Sequence, residues 1–284
     1  LKIKLNLINN KEYNSNKGYL NIYNYNSSSD EENTFLSIKN AFLECKKNNF
    51  IGLITLPLRK DLIKKKIYKN FIGHTELLQN FDKKYFTNMI LYHKKIIVSP
   101  LTTHIPLSLV SKIIKKKNYL KDRILGIYKS LKRDFNIKNP KLVISGMNPH
   151  AGEKGYIGNE EKLIISPVLK KLNANGVNIT GPLPADSLLT NFNLKNFDCF
   201  IFITHDQALI PYKYISNYSG INYTGNLDII RTSPDHGTAY NLVGNNKASS
   251  LSLINCFKLI KKISKNRKNN DCSEKISWSK FSKR

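Results

Sequence analysis

Residues 141–161 read KLVISGMNPHAGEKGYIGNEE. The apolar run Leu142-Val143-Ile144 predicts a short buried strand. It breaks into a turn carrying Gly146, Pro149, Gly152, Gly155 and Gly158, then closes on Glu160-Glu161, acidic residues suited to the first turn of a helix. His150 stands in the middle of that turn. A strand that ends in a glycine-rich turn bearing a polar side chain is how α/β proteins present chemistry at the carboxyl edge of a sheet.

The same unit recurs on both sides. Phe50-Ile51-Gly52-Leu53-Ile54-Thr55 predicts a buried strand that ends at Pro57. Ile96-Ile97-Val98 is another, followed by Thr102-Thr103-His104. Phe200-Ile201-Phe202-Ile203 runs straight into His205-Asp206-Gln207, and Ile229-Ile230 into Arg231-Thr232-Ser233-Pro234-Asp235-His236. Between them lie helical periodicities: Phe35 to Phe42 behind a Ser29 or Asp30 cap, a long basic segment from Ile113 to Leu131, and Leu251 to Ile263. Strands alternating with helices predict an α/β fold with a largely parallel sheet.

The chain has 284 residues and a formal net charge of +26. A charge of that size suggests nucleic acid or an acidic surface as partner. Its lysines, however, are spread along the whole chain within a normal core pattern, as in compositional drift of an AT-rich genome. Only the tail from Lys261 to Arg284 is a true basic block, with Trp278 and Phe281 among its lysines. No apolar run approaches the roughly 18 residues of a membrane span. Cys45, Cys199, Cys256 and Cys272 form no CxxC pair, which argues for reduced thiols, a cytoplasmic location and no zinc ribbon.

Five of the six histidines, His74, His104, His150, His205 and His236, fall in turns; His93 lies outside the pattern. A parallel sheet gathers such turns at one edge. Several imidazoles with Asp206 beside one of them suit a metal or an acid–base site. Lys213, Arg231, Ser233, His74 and Thr75 lie in or near the same turns, and a cation with hydroxyls and backbone N–H groups makes a phosphate clamp. Neither GxGxxG nor a Walker A run is present, so a classical dinucleotide fold is unsupported.

The runs GHTE (73–76), TTHIP (102–106), GMNPHAGEKGYIGNEE (146–161), GPLPAD (181–186), HDQ (205–207) and IRTSPDHGTA (230–239) resemble those of the 4-hydroxythreonine-4-phosphate dehydrogenase family of pyridoxal phosphate biosynthesis. They stand in that family's order over residues 50–262. The resemblance implies two α/β/α halves with a cleft between them, akin to isocitrate and isopropylmalate dehydrogenases. It implies a homodimer with each active site at the subunit interface. Such an enzyme uses NAD or NADP and one divalent metal ion per site, zinc, magnesium or cobalt. It oxidises 4-phosphooxy-L-threonine to the 2-amino-3-oxo acid, which decarboxylates to 3-amino-2-oxopropyl phosphate. Carried over, His104 and His150 of one subunit and His205 of the other would hold the metal. His74, Thr75, Lys213, Asn222 and Arg231 would bind substrate, and Asp186 and Asp206 would serve catalysis. His236, Gly237 and Thr238 would face the cofactor.

The same likeness divides the chain into 1–70 plus 243–262 as an incomplete first domain, 71–242 as a second carrying the site, and 263–284 as a disordered basic tail. The family's opening glycine-rich strand–turn precedes anything in this sequence, as in a fragment or truncated gene product. Leu56-Pro57-Leu58-Arg59-Lys60 stands where the family has a Gly-Pro turn, and Ala208 stands for a glycine after HDQ. Alternatives are a paralogue acting on threonate or erythronate 4-phosphate, and a basic nucleic-acid-binding protein.

Overall fold

A computed structural model describes residues 4–8, 18–23 and 29–271. Strands β1 (Leu5–Leu7) and β2 (Leu20–Ile22) form a small parallel pair of their own. The main sheet has eight strands: β3 (Leu53–Ile54), β4 (Asn88–His93), β5 (Ile96–Pro100), β6 (Leu142–Ser145), β7 (Ile179–Leu183), β8 (Cys199–Phe202), β9 (Ile221–Gly225) and β10 (Arg231–Pro234), in the order β3-β10-β9-β4-β5-β8-β6-β7. The helices are α1 (Asp30–Lys46), α2 (Lys60–Lys66), α3 (His74–Phe81), α4 (Val110–Ile114), α5 (Tyr119–Arg133), α6 (Ser166–Ala174), α7 (Asn191–Asn196), α8 (His205–Ser216) and α9 (Leu251–Asp271).

Successive strand residues face opposite sides, and the cores follow that alternation. Ile90, Ile97, Leu142, Ile144 and Ile201 join α5, α6 and α9 on one face. Leu91, Val98, Val143, Phe200 and Phe202 join Ala208 and Tyr212 of α8 on the other. Both faces of β6 and β8 are covered, so all four residues of each strand are buried, as in a parallel sheet flanked by helices. A third cluster packs Ile38 and Phe42 of α1 with Ile63 of α2 and Leu77 and Leu78 of α3. These clusters cut across the domain boundaries drawn at 70 and 242: α3 packs with α1, and Cys256, Leu259 and Ile260 of α9 pack in the sheet's core.

The fold is α/β as expected, but the sheet is mixed rather than largely parallel. β5, β8, β6 and β7 run parallel, whereas β4 runs antiparallel to both β5 and β9, and β9 to β10. β4 contains the apolar run Met89-Ile90-Leu91-Tyr92, but its hairpin with β5 leaves no mark because the turn is Lys94-Lys95, with Lys94 at φ 53°, rather than a glycine-bearing pair. The strand expected over 50–55 shrinks to Leu53–Ile54. It is an edge strand paired only to β10, and Phe50 and Ile51 lie 44% and 53% exposed. The long basic segment is two helices, broken before Asn118, which is left-handed at φ 64°.

The disordered tail expected from 263 is corrected in part. α9 continues to Asp271, because Asn266, Arg267 and Asn270 hydrogen-bond to the turn after α5. Cys272 and residues 273–284 lie outside the described residues. Among the described residues, no helix is long and apolar enough to cross a membrane.

Candidate active site

β5, β8 and β6 are neighbouring parallel strands, so their carboxyl ends open on one edge. His104 follows β5, His205 opens α8 directly after β8, and His150 follows β6. The edge is cross-braced. Thr102 Oγ1 donates to Ile203 O (2.7 Å), and Ile203 N donates to Ser145 Oγ (3.1 Å). Thr204 caps α8 in a reciprocal capping box with Gln207, whose Nε2 also reaches Gly146 O at 3.2 Å. The start of α8 is thereby tied to the His150 turn.

The rings of His104 and His205 face each other with centroids 6.0 Å apart. Each has its Nδ1 against a carboxylate: His104 against Glu76 Oε1 at 3.3 Å, His205 against Asp206 Oδ1 at 2.7 Å. That arrangement leaves both Nε2 atoms for another partner, the pattern of metal-ligating imidazoles oriented by carboxylates. Both rings line a cleft of about 750 Å³ with Asp186 and Asp206. Large apolar side chains stand exposed there, Leu107 at 75% and Ile210 at 71%, and Tyr214 follows Ile210 one helical turn on.

His150 is exposed and is not among the residues lining that cleft. Within one chain the structure thus brings His104 together with His205. No three His, Cys, Asp or Glu side chains among the described residues are grouped to hold a metal ion. His150 sits in a left-handed run in which His150, Ala151, Gly152, Glu153 and Lys154 all have φ between 43° and 78°. Each non-glycine residue there costs on the order of 1–2 kcal/mol. Glu161, 5% exposed, holds the run from below. Its Oε1 accepts from Met147 N (2.7 Å) and Asn148 N (2.8 Å), and its Oε2 from Asn148 Nδ2 (3.0 Å). A Cβ on Gly152 would come within 2.5 Å of Glu161 Oε2, so the buried carboxylate and the glycine require one another.

The phosphate-clamp candidates occupy the other half of the sheet. Arg231 is not in a turn after a strand, as the sequence suggests, but on β10 itself, 3% exposed. Ile229 and Ile230 precede the strand, because pairing with β3 and β9 begins only at Arg231 and Thr232. Its guanidinium donates to Thr55 Oγ1 (3.0 Å) and Thr224 Oγ1 (2.9 Å) and has no carboxylate partner among the described residues. Burial pulls its pKa down to about 10. Burial, and then Arg231 and Lys60, pull His74 down to about 3, so its imidazole is neutral at working pH. Lys213 pairs with Asp235 Oδ1 at 2.7 Å. Burial raises the Asp235 carboxyl against the pull of Lys213, and Asp235 Oδ2 and Asn222 Oδ1 are buried without partners. Thr75 follows His74 in the first turn of α3.

A second cleft of about 660 Å³ is lined by Thr55, His74, Arg59, the apolar Leu53, Ile54 and Leu58, and Tyr240. His236, Gly237 and Thr238 form the strand-free stretch leading to Tyr240, and a Cβ on Gly237 would meet nothing within 4 Å.

Sequence reasoning missed Glu76, Glu161, Thr55 and Gln207. Gln207 was recoverable, since Thr204-x-x-Gln207 is a capping-box spacing. Glu76 and Glu161 look like ordinary first-turn helix acids, and only their three-dimensional partners distinguish them.

Comparison with known proteins follows from this geometry. The family model described as pyridoxal phosphate biosynthetic protein PdxA matches residues 2–260. The 4-hydroxythreonine-4-phosphate dehydrogenase of Sulfurihydrogenibium sp. (strain YO3AOP1) is 38% identical over 247 residues, covering 84% of this chain and 75% of its own. The Neisseria meningitidis serogroup A protein of the same name is 41% identical over 207 residues, 72% of this chain and 63% of its own. A 4-hydroxythreonine-4-phosphate dehydrogenase crystal structure from Klebsiella pneumoniae superposes with a TM-score of 0.81 at 29% identity, covering 92% of this chain and 82% of that one. A terephthalate 1,2-cis-dihydrodiol dehydrogenase from Burkholderia xenovorans shares the fold at a TM-score of 0.61, 21% identity, and 82% and 73% coverage. The architecture is that of the isocitrate and isopropylmalate dehydrogenase group.

Proposed function

The chain belongs to the PdxA family, and we propose that it is a metal-dependent NAD(P) dehydrogenase oxidising 4-phosphooxy-L-threonine to the 2-amino-3-oxo acid, which loses carbon dioxide to give 3-amino-2-oxopropyl phosphate. The observation that carries the reading is an arrangement around the first turn of α3. On one side lies a buried, uncompensated guanidinium; on the other, two imidazoles tied at Nδ1 with Nε2 free.

Of zinc, magnesium and cobalt, an imidazole donor set fits zinc or cobalt, since magnesium prefers oxygen ligands. His104, His150 and His205 would hold the ion, drawn from two copies of the chain. A divalent cation bound there would acidify a coordinated hydroxyl, and a nicotinamide would accept the hydride. The chain's own residues do the rest. Arg231, with Thr75 and neutral His74 beside it, binds the phosphate; its burial makes the attraction strong. Lys213 and Asn222 orient the remaining polar groups. Asp186 and Asp206, both in the His104 cleft, accept the hydroxyl proton and deliver a proton to the carbon from which carbon dioxide departs. The nucleotide lies along His236, Gly237 and Thr238 toward the cleft that Tyr240 lines.

The exposed Leu107, Ile210 and Tyr214 suit a second copy closing over the first, so the working unit is a homodimer. The test is cofactor reduction. With divalent metal and NAD or NADP, 4-phosphooxy-L-threonine should give NAD(P)H. If threonate or erythronate 4-phosphate does so and 4-phosphooxy-L-threonine does not, the substrate is wrong.

A further inference from the structure

We infer that Glu76 is a positioning residue: it fixes His104 as the Nδ1–H tautomer and aims its Nε2 into the cleft, so that it sets metal affinity without touching the metal. The inference rests on the proposed metal reading of that cleft.

Glu76 stands third in α3, after His74 and Thr75. An acid in a helix's first turn interacts favourably with the helix dipole by about 0.3–1 kcal/mol wherever its head points, and is comfortable in water. Glu76 does something else. Its side chain, 29% exposed, turns to His104, a residue 28 positions along the chain, at 3.3 Å from Nδ1. Its other oxygen, Oε2, is buried with no hydrogen-bond partner. Leaving a carboxylate oxygen in that state is unfavourable, so helix capping alone does not account for the geometry.

With Oε1 3.3 Å from Nδ1 and a carboxylate able only to accept, the hydrogen between the two is placed on Nδ1. Nε2 of His104 is then the unprotonated, ligand-competent nitrogen, and it belongs to the ring that faces His205 at 6.0 Å between centroids. His104 is itself left-handed, at φ 55°. Such a backbone conformation persists only where its surroundings hold it, and the Glu76 contact is one such restraint. Asp206 makes the equivalent contact with His205, but from the adjacent residue and with its side chain 80% exposed. Glu76 is thus the better-shielded of the two orienting carboxylates.

The placement has a second consequence. The turn that carries Glu76 also carries His74 and Thr75, so α3 is one rigid piece between the phosphate clamp and the metal cleft. Glu76 links metal binding to the posture of α3.

The experiment titrates the full-length protein with cobalt(II), followed by its visible absorption, and separately with inorganic phosphate. Glu76→Ala should weaken cobalt binding by roughly 10–100-fold, the range seen when an orienting partner is removed. Phosphate binding should change less than about threefold. Glu76→Gln, whose amide oxygen still accepts from Nδ1–H, should recover most of the affinity. Nitrogen-15 NMR of the metal-free protein gives a readout that a purely structural role would not move. His104 should be the Nδ1–H tautomer in the wild type and in Glu76→Gln, and shift to Nε2–H in Glu76→Ala or, if that variant does not fold, in Glu76→Leu. Unchanged cobalt affinity in Glu76→Ala, with affinity lost in His104→Ala, overturns the role of Glu76 and leaves the metal reading standing. Cobalt binding indifferent to His104→Ala overturns the metal reading and this inference with it.

Discussion

Asp134 and Arg231 are both charges taken out of water by the same sheet, and they are treated in opposite ways. Asp134, with a side chain 0% exposed, is fully answered: Arg133 Nε and Arg267 Nε each reach Oδ1 at 2.7 Å, and Tyr223 donates its hydroxyl at 2.5 Å. Burial raises its carboxyl, but Arg267 and Arg133 hold it below its usual range. Among the described residues, Arg231 is hydrogen-bonded only by the hydroxyls of Thr55 and Thr224, and the Glu76 carboxylate acts on it weakly from beyond hydrogen-bond reach. Desolvation is comparably unfavourable in the two places. Where the countercharge comes from inside the chain, the buried charge is part of the frame. Where it is missing, the charge waits for a ligand that brings it.

The largest expected effect separates the two most sharply. Asp134→Ala leaves two arginines beside an uncompensated hole and should destabilise the fold by about 3–5 kcal/mol in urea unfolding. Arg231→Leu should change stability by no more than about 1 kcal/mol, since it removes an uncompensated charge, but should weaken inorganic phosphate binding by about 100-fold, or about 2.7 kcal/mol. If Arg231→Leu unfolds the protein as Asp134→Ala does, the two charges are alike and the comparison fails.

Glu161 sharpens the comparison, because its countercharge is neither an ion nor a ligand but backbone N–H groups. Glu161→Gln keeps an acceptor for Met147 N and Asn148 N while turning an amide donor toward Asn148. A loss of about 1–2 kcal/mol is expected, from one charge-assisted set of bonds made neutral. The readout is unfolding free energy together with cobalt affinity, since relaxing the left-handed run moves His150. A variant with wild-type stability would mean that the run holds itself.

How much of this was legible before the structure follows from the kind of signal each feature leaves. Buried parallel strands such as Leu142–Ser145 and Cys199–Phe202 write continuous apolar runs, and a histidine after such a run is conspicuous. The site's edge was therefore readable, and the resemblance in motifs supplied the family. The hairpin of β4 with β5 was not, because a Lys94-Lys95 turn without glycine leaves no mark. Arg267 reads as one more cation in a basic tail; only its fit to Asp134 makes it part of the core. The pairing of His104 with His205 depends on strand order, which periodicity does not encode.

His74 supplies the smallest expected effect, one proton. Its folded pKa is about 3, set by burial and then by Arg231, against roughly 6.5 for an unfolded chain. Between those values the unfolded chain holds a proton that the folded one refuses. The stability contribution is therefore complete above pH 6.5 and falls as the pH drops toward 3, by at most about 1.4 kcal/mol per pH unit. Urea unfolding of wild type and His74→Gln between pH 7.5 and pH 5, from about one unit above to about 1.5 units below the unfolded pKa, should show a shallower slope in the variant. Saturating inorganic phosphate should shallow the wild-type slope as well, because the anion offsets Arg231, the charge that His74 is avoiding. Equal slopes in all three cases would mean that His74 does not sense Arg231, and the uncompensated cation at the centre of the comparison would lose its nearest witness.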